Sequence, residues 1–302
     1  MGKKKVSLVL SSGGARGMAH IGVIEVLEEN GYEIVSIAGC SAGALIGGMF
    51  AKGQLPRFKD WICNLDRIDV FSLMDFTLSS KGFIKGDKVF GEIKKIIDDC
   101  NIEDLVVPFR CTAVEIPSGK EKIFKSGSLY EAIRASVSIP TVLTPAKIGK
   151  HEYIDGGILN PIPFNLLDEK HLGDLVVAVD LNGPKGMVFP VKKESKKESA
   201  LKLPSWLKEY QKKFANYFYA EEKDQKDEKY KGMSSVELLN YSFDLLQDKL
   251  SELVIEKHKV DILIEISREQ AGTLEFHRAE ELIQVGREKM LAAIKTFEDG
   301  DK

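Results

Sequence analysis

The chain has 302 residues, of which 43% are hydrophobic and 29% are charged. That balance is typical of a globular protein with a large core, and it excludes collagen-like, disordered and disulfide-scaffold classes. Forty-three basic residues against forty-six acidic ones give a formal charge of −3, so no basic excess points to nucleic acid as a partner. We expect one α/β domain over residues 1–302, interrupted by an insertion.

The cysteines and the N-terminus carry little targeting information. Four cysteines show neither CxxC nor Cys/His spacing, so the sequence predicts no zinc site and no disulfide framework, which suits a reducing cytoplasm. The apolar run Val6 to Leu10 that follows the N-terminal lysines is too short for a signal peptide. No stretch reaches the roughly 18 apolar residues of a membrane span. We therefore expect a cytoplasmic protein whose membrane contact, if it has any, comes from a local patch.

Strands and helices alternate at the start of the chain. Val6 to Leu10 predicts a strand that breaks into the glycine-rich segment Ser11 to Gly17, and helical spacing of apolar residues follows. Ile34 to Ala38 predicts a second strand, which turns within Gly39 to Gly43 into the small-residue helix Ala44 to Lys52. This β-α-β-α order implies a parallel sheet with buried strands.

The rest of the chain continues the alternation. Helical patches cover Pro56 to Phe76, and Asp87 is the expected N-cap of a helix through Ile97. Strands are predicted at Phe109 to Ile116, Lys122 to Phe124, Val142 to Ile148, Glu152 to Ile154, Leu175 to Asp180 and Val260 to Ile266. Helices are predicted at Leu129 to Ala135, Ser234 to Lys257 and Phe276 to Phe297.

The composition changes between Gly183 and Gly232. Residues 185–213 hold nine lysines against three acids, a local charge of +6, and they interrupt the α/β alternation. We therefore expect an insertion over 185–231 that forms a lid or flap. Within it, apolar and aromatic residues of 203–218 recur at three- and four-residue steps, which predicts an amphipathic helix. Contact with an anionic membrane, packing as a lid, and a dimer contact all remain open for this helix.

The pattern Gly39-x-Ser41-x-Gly43 stands where a strand ends and a helix begins. A sharp strand-to-helix turn with glycine on both sides pushes a serine hydroxyl into the open, and the helix N-terminus behind it favours developing negative charge. Ser41 is therefore the candidate nucleophile. The alternative is a turn in which the glycines serve packing alone.

The segment Ser12 to Gly17 follows the first strand and opens the first helix, so it lies at the same sheet edge as Ser41. A dinucleotide-binding loop would need glycine in place of Ser12 and an acid at the end of the next strand, which ends at Ala38. An oxyanion hole needs bare amides, and Gly13 and Gly14 supply them. A turn that needs glycine only for its geometry also remains open.

Asp155 ends a predicted strand and is followed by Gly156 and Gly157. An isolated Asp-Gly-Gly is usually an ordinary turn, but a nucleophilic serine needs a base. His277 could complete a Ser-Asp-His order as in α/β-hydrolases, although that fold usually places several strands before its nucleophile and Ser41 follows only the second. We favour a Ser41–Asp155 dyad.

These three segments together resemble the patatin-like phospholipase family in order and context. Ala135 to Pro140 is similar to the family's segment ahead of its catalytic Asp, and residues 276–290 are similar to the end of bacterial single-domain members. The resemblance covers roughly 6–182 and 233–292. Ser12 in place of the first glycine and Cys40 in place of the common threonine are departures. The first leaves the later glycine amides intact, and the second does not change the nucleophile.

The resemblance implies a three-layer α/β/α fold and a phospholipase or esterase acting on lipid esters without a metal or other cofactor. Ser41 would attack the ester carbonyl, and Asp155 would take its proton and return it to the leaving alcohol. Amides of Gly13, Gly14 and Ala15 would hold the oxyanion. Arg16 would either bind a lipid phosphate or cap local carbonyls.

Two rival functions remain. One is a lipid-binding or scaffold protein that keeps this fold without catalysis, against which the presence of every catalytic residue type argues. The other is a Ser-His-Asp esterase, which would require one essential histidine. The sequence indicates neither acyl chain, head group nor oligomeric state.

Overall fold

The structure, a computed structural model, describes residues 3–77, 82–186, 188–190 and 235–300. Most of the predicted insertion 185–231, including the amphipathic stretch 203–218, lies outside the described residues. The fold below is that of the described ranges.

Strands and helices alternate as the pattern of apolar residues predicts. The strands are β1 Lys5–Leu10, β2 Glu33–Cys40, β3 Gly82–Ile84, β4 Phe109–Glu115, β5 Lys120–Phe124, β6 Thr141–Leu143, β7 Ala146–Ile148, β8 His151–Asp155, β9 Leu175–Gly183 and β10 Ile262–Ser267. The helices are α1 Met18–Glu29, α2 Ala42–Ala51, α3 Leu55–Cys63, α4 Arg67–Leu73, α5 Asp87–Ile97, α6 Leu129–Ser136, α7 Ser235–Ile255 and α8 Ala279–Gly300.

The main sheet has the strand order β10-β9-β1-β2-β4-β8-β7, and β5 pairs with the other edge of β4. The run from β10 to β4 is parallel, whereas β5, β7 and β8 join by antiparallel pairing. Side chains of the parallel strands alternate between two cores. Leu8 and Leu10 of β1 lie in the large core beneath α1, α2 and α8, whereas Val9 lies in a smaller core with Phe164 and the end of α7. Helices therefore cover both faces, which confirms the three-layer α/β/α arrangement.

Two strands share one edge of β4 and meet end to end there. The parallel strand β2 pairs with β4 as far as Cys40 opposite Thr112. The antiparallel strand β8 takes over at the next position, where Asp155 lies opposite Ala113. Because β2 and β8 run toward each other, the residue after Cys40 and the last residue of β8 are brought together.

Two local expectations were wrong. The predicted strand over 142–148 is split between two sheets: β6 pairs with β3 in a separate two-stranded sheet, and β7 pairs with β8. The N-cap of α5 is Gly86 rather than Asp87. Gly86 has φ of 86°, and the carboxylate of Asp75 accepts hydrogen bonds from the backbone amides of residues 86 and 87, so it satisfies the helix start from outside the helix.

The first and last helices pack closely through two glycines. A Cβ on Gly22 of α1 would lie 2.0 Å from the carbonyl oxygen of Ile283 in α8, and a Cβ on Gly286 of α8 would lie 2.0 Å from that of Ala19 in α1. No side chain fits at either position unless the helices separate. This contact joins the two ends of the described chain across the large core.

Gly286→Ala should therefore lower the free energy of unfolding by about 1–3 kcal/mol, because the added methyl group forces the helices apart. Gly91→Ala is the matched control: Gly91 lies inside α5 with no atom within 4 Å of its would-be Cβ, so the higher helix propensity of alanine should leave stability equal or slightly higher. Urea denaturation of both variants measures the difference. Equal stabilities would contradict this account of the helix contact.

Candidate active site

Ser41 occupies a strained turn between β2 and α2. Its backbone has φ of 53° and ψ of −116°, a conformation that side-chain-bearing residues rarely adopt. The chain can turn this sharply because of its flanking glycines: a Cβ on Gly43 would lie 2.1 Å from the carbonyl oxygen of Leu10, and one on Gly39 would lie 2.6 Å from that of Gly43. Both glycines of the predicted motif are therefore required by close backbone contacts.

The turn and the end of β8 bring Ser41 and Asp155 into direct contact. Ser41 Oγ donates a hydrogen bond to Asp155 Oδ2 at 2.5 Å. The other carboxylate oxygen, Oδ1, accepts from the backbone amide of Gly157 at 2.7 Å, and Ser136 Oγ accepts from the amide of Ser41 at 2.9 Å. Ser41 and Asp155 are 3% and 4% exposed, so bulk water barely reaches the pair.

Burial raises the pKa of Asp155 to about 7, because desolvation disfavours its charged form. The hydrogen bonds from Ser41 and from the amide of Gly157 oppose that shift without cancelling it. A carboxyl group with a pKa near neutrality can accept a proton and return it in the same pH range, which is what a general acid–base requires.

The glycine-rich loop lies beside the Ser41 turn. Gly14 has φ of 57°, and a Cβ there would lie 2.7 Å from the carbonyl oxygen of Thr273, so only glycine fits. Neither the amide of Gly13 nor that of Gly14 donates a hydrogen bond to another described residue. The amide of Ala15 donates to the carbonyl oxygen of Thr273 at 2.9 Å. Ala15 is therefore a correction to the predicted oxyanion hole, because its N–H is already committed, and two candidate donors remain.

Of the two roles open to Arg16, its contacts favour capping of local carbonyls over binding of a lipid phosphate. Its guanidinium is 4% exposed and donates to the carbonyl oxygens of Leu181 and Ala271, each at 2.9 Å. Burial, followed by the nearby charge of Arg268, lowers the pKa of Arg16 to about 10. Arg16 thus serves the alternative role: it caps carbonyls at the ends of β9 and of the segment after β10, and it anchors the glycine-rich loop.

The remaining motif residues pack the loops against each other. A Cβ on Gly17 would lie 2.3 Å from the Cβ of Ala42, and one on Gly156 would lie 2.4 Å from the carbonyl oxygen of Thr112. Ser12 is buried, and its hydroxyl has no hydrogen-bond partner among the described residues. The departure from glycine at this position therefore places a polar side chain inside the site without altering the later amides.

None of the five histidines contacts Ser41 or Asp155. His277 Nε2 accepts a hydrogen bond from Arg67 Nε at 3.1 Å, and burial lowers the pKa of that imidazole. The other four have partners of their own: His20 the carbonyl oxygen of Ser11, His151 the carboxylate of Glu115, His171 that of Asp168, and His258 the carbonyl oxygen of Val254. The geometry favours the dyad over the triad.

An apolar cavity adjoins Ser41 and Gly14, and its empty space is about 960 Å³ when the open solvent at its mouth is included. Its walls come mainly from α3, α4, α5, the small β3–β6 sheet and the segment 273–276, and no charged side chain of the described residues lines it. The apolar lining is Met18, Ala42, Leu45, Phe58, Trp61, Ile62, Leu65, Val70, Leu73, Met74, Ile84, Val89, Phe90, Ile93, Val137, Ile139, Val142, Leu143, Leu274 and Phe276.

Sequence reasoning missed this cavity. The signal was present in part, since Phe58, Trp61, Ile62 and Leu65 follow helical spacing and predict an apolar face. That spacing cannot tell a face that lines a cavity from one that fills a core. Thr273 was missed because nothing in its local sequence shows that it meets the glycine loop.

The described ranges contain neither a cluster of metal-ligating side chains nor a membrane-spanning helix. No group of three or more His, Cys, Asp or Glu residues there could hold a metal ion. No helix in those ranges is long and apolar enough to cross a membrane.

This chain is similar to several known proteins. The sequence model of the patatin-like phospholipases matches residues 8–168, which include the turn, the glycine loop and Asp155. An uncharacterized NTE family protein of Mycobacterium bovis is 33% identical over 336 aligned positions, covering 98% of this chain and 93% of that protein. The lysophospholipase NTE1 of Cryptococcus neoformans is 30% identical over 182 positions, covering 58% of this chain and 11% of that much longer protein. The solved structure of VipD from Legionella pneumophila is similar with a TM-score of 0.42 and 14% identity, over 98% of this chain and 67% of that one.

Asp155→Asn should stabilise the fold most at alkaline pH. The folded-state pKa of about 7 exceeds the unfolded value of about 3.9, so wild type loses stability as pH rises between these values, because the carboxyl ionises in the unfolded chain while the buried one stays protonated. The amide of asparagine ionises in neither state, so the variant does not lose stability in this way. Thermal or urea unfolding should show the variant's advantage to be about 2 kcal/mol larger at pH 8 than at pH 5. A pH-independent difference would contradict a raised pKa.

Proposed function

Because this chain belongs to the patatin-like phospholipase family, we propose that it is a serine lipid acyl hydrolase working through a Ser41–Asp155 dyad. Family membership supports lipid hydrolysis as the general activity. The dyad, the acyl-enzyme route and the substrate below are our proposals.

One observation carries the mechanism. Ser41 Oγ donates its proton along a 2.5 Å hydrogen bond to a buried carboxylate, at a turn whose backbone is strained and whose side opens on an apolar cavity. A packing turn would need neither the strained serine nor the buried acid, since both cost stability. Such costs persist where function requires them.

In the first half of the reaction, Ser41 Oγ attacks the ester carbonyl carbon as Asp155 Oδ2 takes its proton. The carbonyl oxygen becomes an oxyanion, which the free amides of Gly13 and Gly14 stabilise. The carbon–oxygen bond to the alcohol then breaks, and Asp155 protonates the leaving oxygen. An acyl group remains on Ser41.

In the second half, a water molecule attacks the acyl carbonyl carbon while Asp155 accepts one of its protons. The bond to Ser41 Oγ breaks, and Asp155 returns the proton to that oxygen. Fatty acid leaves, and the dyad is restored. The pKa of about 7 suits Asp155 to both directions of transfer.

The cavity supports a long acyl chain as the group transferred. Its wall is apolar and uncharged, so it favours hydrocarbon and disfavours a phosphate or ammonium head group, which would stay toward solvent. We therefore propose phospholipids or lysophospholipids as substrates, in keeping with the lysophospholipase name of one relative.

Location and membrane contact are proposed on separate grounds. None of the four cysteines forms a disulfide within the described ranges, which suits the cytoplasm. The amphipathic stretch 203–218 would supply peripheral contact with an anionic bilayer.

Deleting 185–231 should weaken binding to anionic liposomes and slow hydrolysis of lipid vesicles while sparing hydrolysis of a soluble short-chain ester. An equal loss of hydrolysis on vesicles and on the soluble ester would favour a lid, and unchanged liposome binding would exclude docking through this segment.

Ser41→Ala should abolish labelling by a fluorophosphonate probe and lower kcat by at least about 1,000-fold, because it removes the hydroxyl on which the acyl-enzyme forms. Asp155→Asn should lower kcat roughly 10³- to 10⁴-fold with the fold intact. His277→Ala is the control and should keep turnover. Mass spectrometry of the labelled peptide and a lysophospholipid assay measure these outcomes.

Three results would overturn parts of this scheme. Labelling that persists in Ser41→Ala would show that another residue is the nucleophile. An inactive but folded His277→Ala variant would favour the triad. A wild-type protein that binds lipid but neither labels nor hydrolyses would favour the scaffold function.

Val89→Phe should shorten the preferred acyl chain, because Val89 lines the cavity and a phenyl ring would occupy part of it. The ratio of kcat/KM for long-chain over short-chain esters should fall about tenfold, as expected when a few methylenes lose their pocket. Val106→Phe is the control, since Val106 is 93% exposed and does not line the cavity. An unchanged ratio in Val89→Phe would place the acyl chain elsewhere.

A further inference from the structure

We propose that Gln247 of α7 is a positioning residue that holds the Asp155 loop in its catalytic geometry. This inference rests on the proposed function of Asp155 as the base. It concerns a helix that lies outside the segment matched by the family's sequence model, residues 8–168.

The contact runs from α7 to Asp155 through one glycine. Gln247 Nε2 donates a hydrogen bond to the carbonyl oxygen of Gly157 at 3.0 Å. The amide of the same Gly157 donates to Asp155 Oδ1 at 2.7 Å. Fixing the carbonyl fixes the orientation of the short turn 156–158, and with it the direction of the N–H that holds the carboxylate.

Gly157 lets the helix come this close. A Cβ there would lie 2.9 Å from Gln247 Nε2 and 3.0 Å from both Cβ and Oγ of Ser12. The second glycine after Asp155 is thus required because α7 and the glycine-rich loop converge on it. The hydroxyl of Ser12 is buried and has no hydrogen-bond partner among the described residues. It therefore does not bind the carbonyl oxygen of Gly157 in place of Gln247.

The helix is itself fixed at this position by charge. Asp244, Gln247 and Asp248 lie on one face of α7, because residues three and four apart share a helix face. Arg268, which follows β10, binds Asp244 through Nη1 at 2.7 Å and Asp248 through Nη2 at 2.5 Å. The side chain of Arg268 is 11% exposed, whereas those of Asp244 and Asp248 are 45% and 36% exposed, so water screens these pairs in part.

The same arginine joins α7 to the other half of the site. The carbonyl oxygen of Arg268 accepts a hydrogen bond from Arg16 Nη1 at 3.3 Å, and Arg16 belongs to the glycine-rich loop. One helix therefore contacts the base through Gln247 and the loop of candidate oxyanion donors through Arg268. This gives α7 a fixed orientation from which Gln247 can act.

Other titratable groups near Asp155 have partners of their own or are deeply buried. Cys40 of β2 is buried, and burial raises the pKa of its thiol well above the usual range. Glu121 of β5 accepts hydrogen bonds from Thr112 Oγ1 and Asn160 Nδ2. On α7, Asp244 and Asp248 are bound by Arg268. The bond from the amide of Gly157 lowers the pKa of Asp155, so loosening it should raise that pKa.

The test measures how the rate of fluorophosphonate labelling at Ser41 depends on pH. Gln247→Met keeps the length of the side chain and removes the hydrogen-bond donor. In this variant the acid limb of the pH–rate profile, where the labelling rate falls with decreasing pH, should shift to higher pH. The labelling rate at pH 7 should fall about 3- to 10-fold. The loss should shrink at pH 9, where Asp155 is ionised in both proteins. A role in stability alone would lower the yield of folded protein without moving the limb.

Lys249→Met is the matched control, because Lys249 lies two residues away, is exposed and pairs only with Glu252 among the described residues. Its profile should match wild type. Where Gln247→Met does not fold by circular dichroism, Gln247→Asn serves instead, since its carboxamide is one methylene too short to reach the carbonyl of Gly157.

The outcomes separate the two levels of proposal. A wild type that is never labelled at Ser41 overturns the proposed function. A labelled wild type with the same limb and rate in the Gln247 variant overturns only the assignment of Gln247. An equal shift in Lys249→Met would show that the effect comes from general loosening of α7, and it would overturn the assignment too.

Discussion

The hydrogen bond between Ser41 and Asp155 depends on the way two strands share the edge of a third. Because β2 runs parallel to β4 and β8 runs antiparallel, their carboxyl ends face each other across the boundary between Thr112 and Ala113. The register of the sheet therefore places the two residues side by side, and the turn after β2 and the short turn 156–158 set their final orientation. Since the sheet is buried on both faces, the pair inherits its low exposure, and burial in turn raises the pKa of the carboxyl.

Much of this arrangement could be predicted from the sequence because it depends on residues that are close together in the chain. The turn at Ser41 needs glycines at fixed positions beside it, and the strands read as short β-branched runs. Asp155 was identified from its place at a strand end, together with the resemblance of its surroundings to a family. The sequence was less informative about the roles of Ala15 and Arg16, which depend on contacts with distant segments. Ala15 was expected in the oxyanion hole and Arg16 had two open roles, yet their donors bind the carbonyls of Thr273, Leu181 and Ala271, which lie far away in sequence.

The cavity and α7 show why the rest was out of reach. An apolar helical face has the same spacing whether it fills a core or lines an empty volume, and the difference is set by packing between distant elements. Likewise, the amphipathic pattern at 234–257 predicts a helix but not that Gln247 meets the carbonyl of Gly157, ninety residues earlier in the chain. The prediction of a single strand over 142–148 was wrong for a related reason. Nothing in that stretch of sequence indicates that its two halves, β6 and β7, join different sheets.

The separate two-stranded sheet has a consequence for how such a protein can diverge. Ile84 and Val142, in the paired strands β3 and β6, line the cavity together with residues of α3 to α5, whereas the dyad is carried by the large sheet. Much of the proposed acyl-chain pocket and the proposed dyad thus lie on different parts of the scaffold. Substitutions can remodel the first without disturbing the hydrogen bonds of the second, so one catalytic framework can give rise to enzymes with different lipid preferences, by natural selection or in the laboratory.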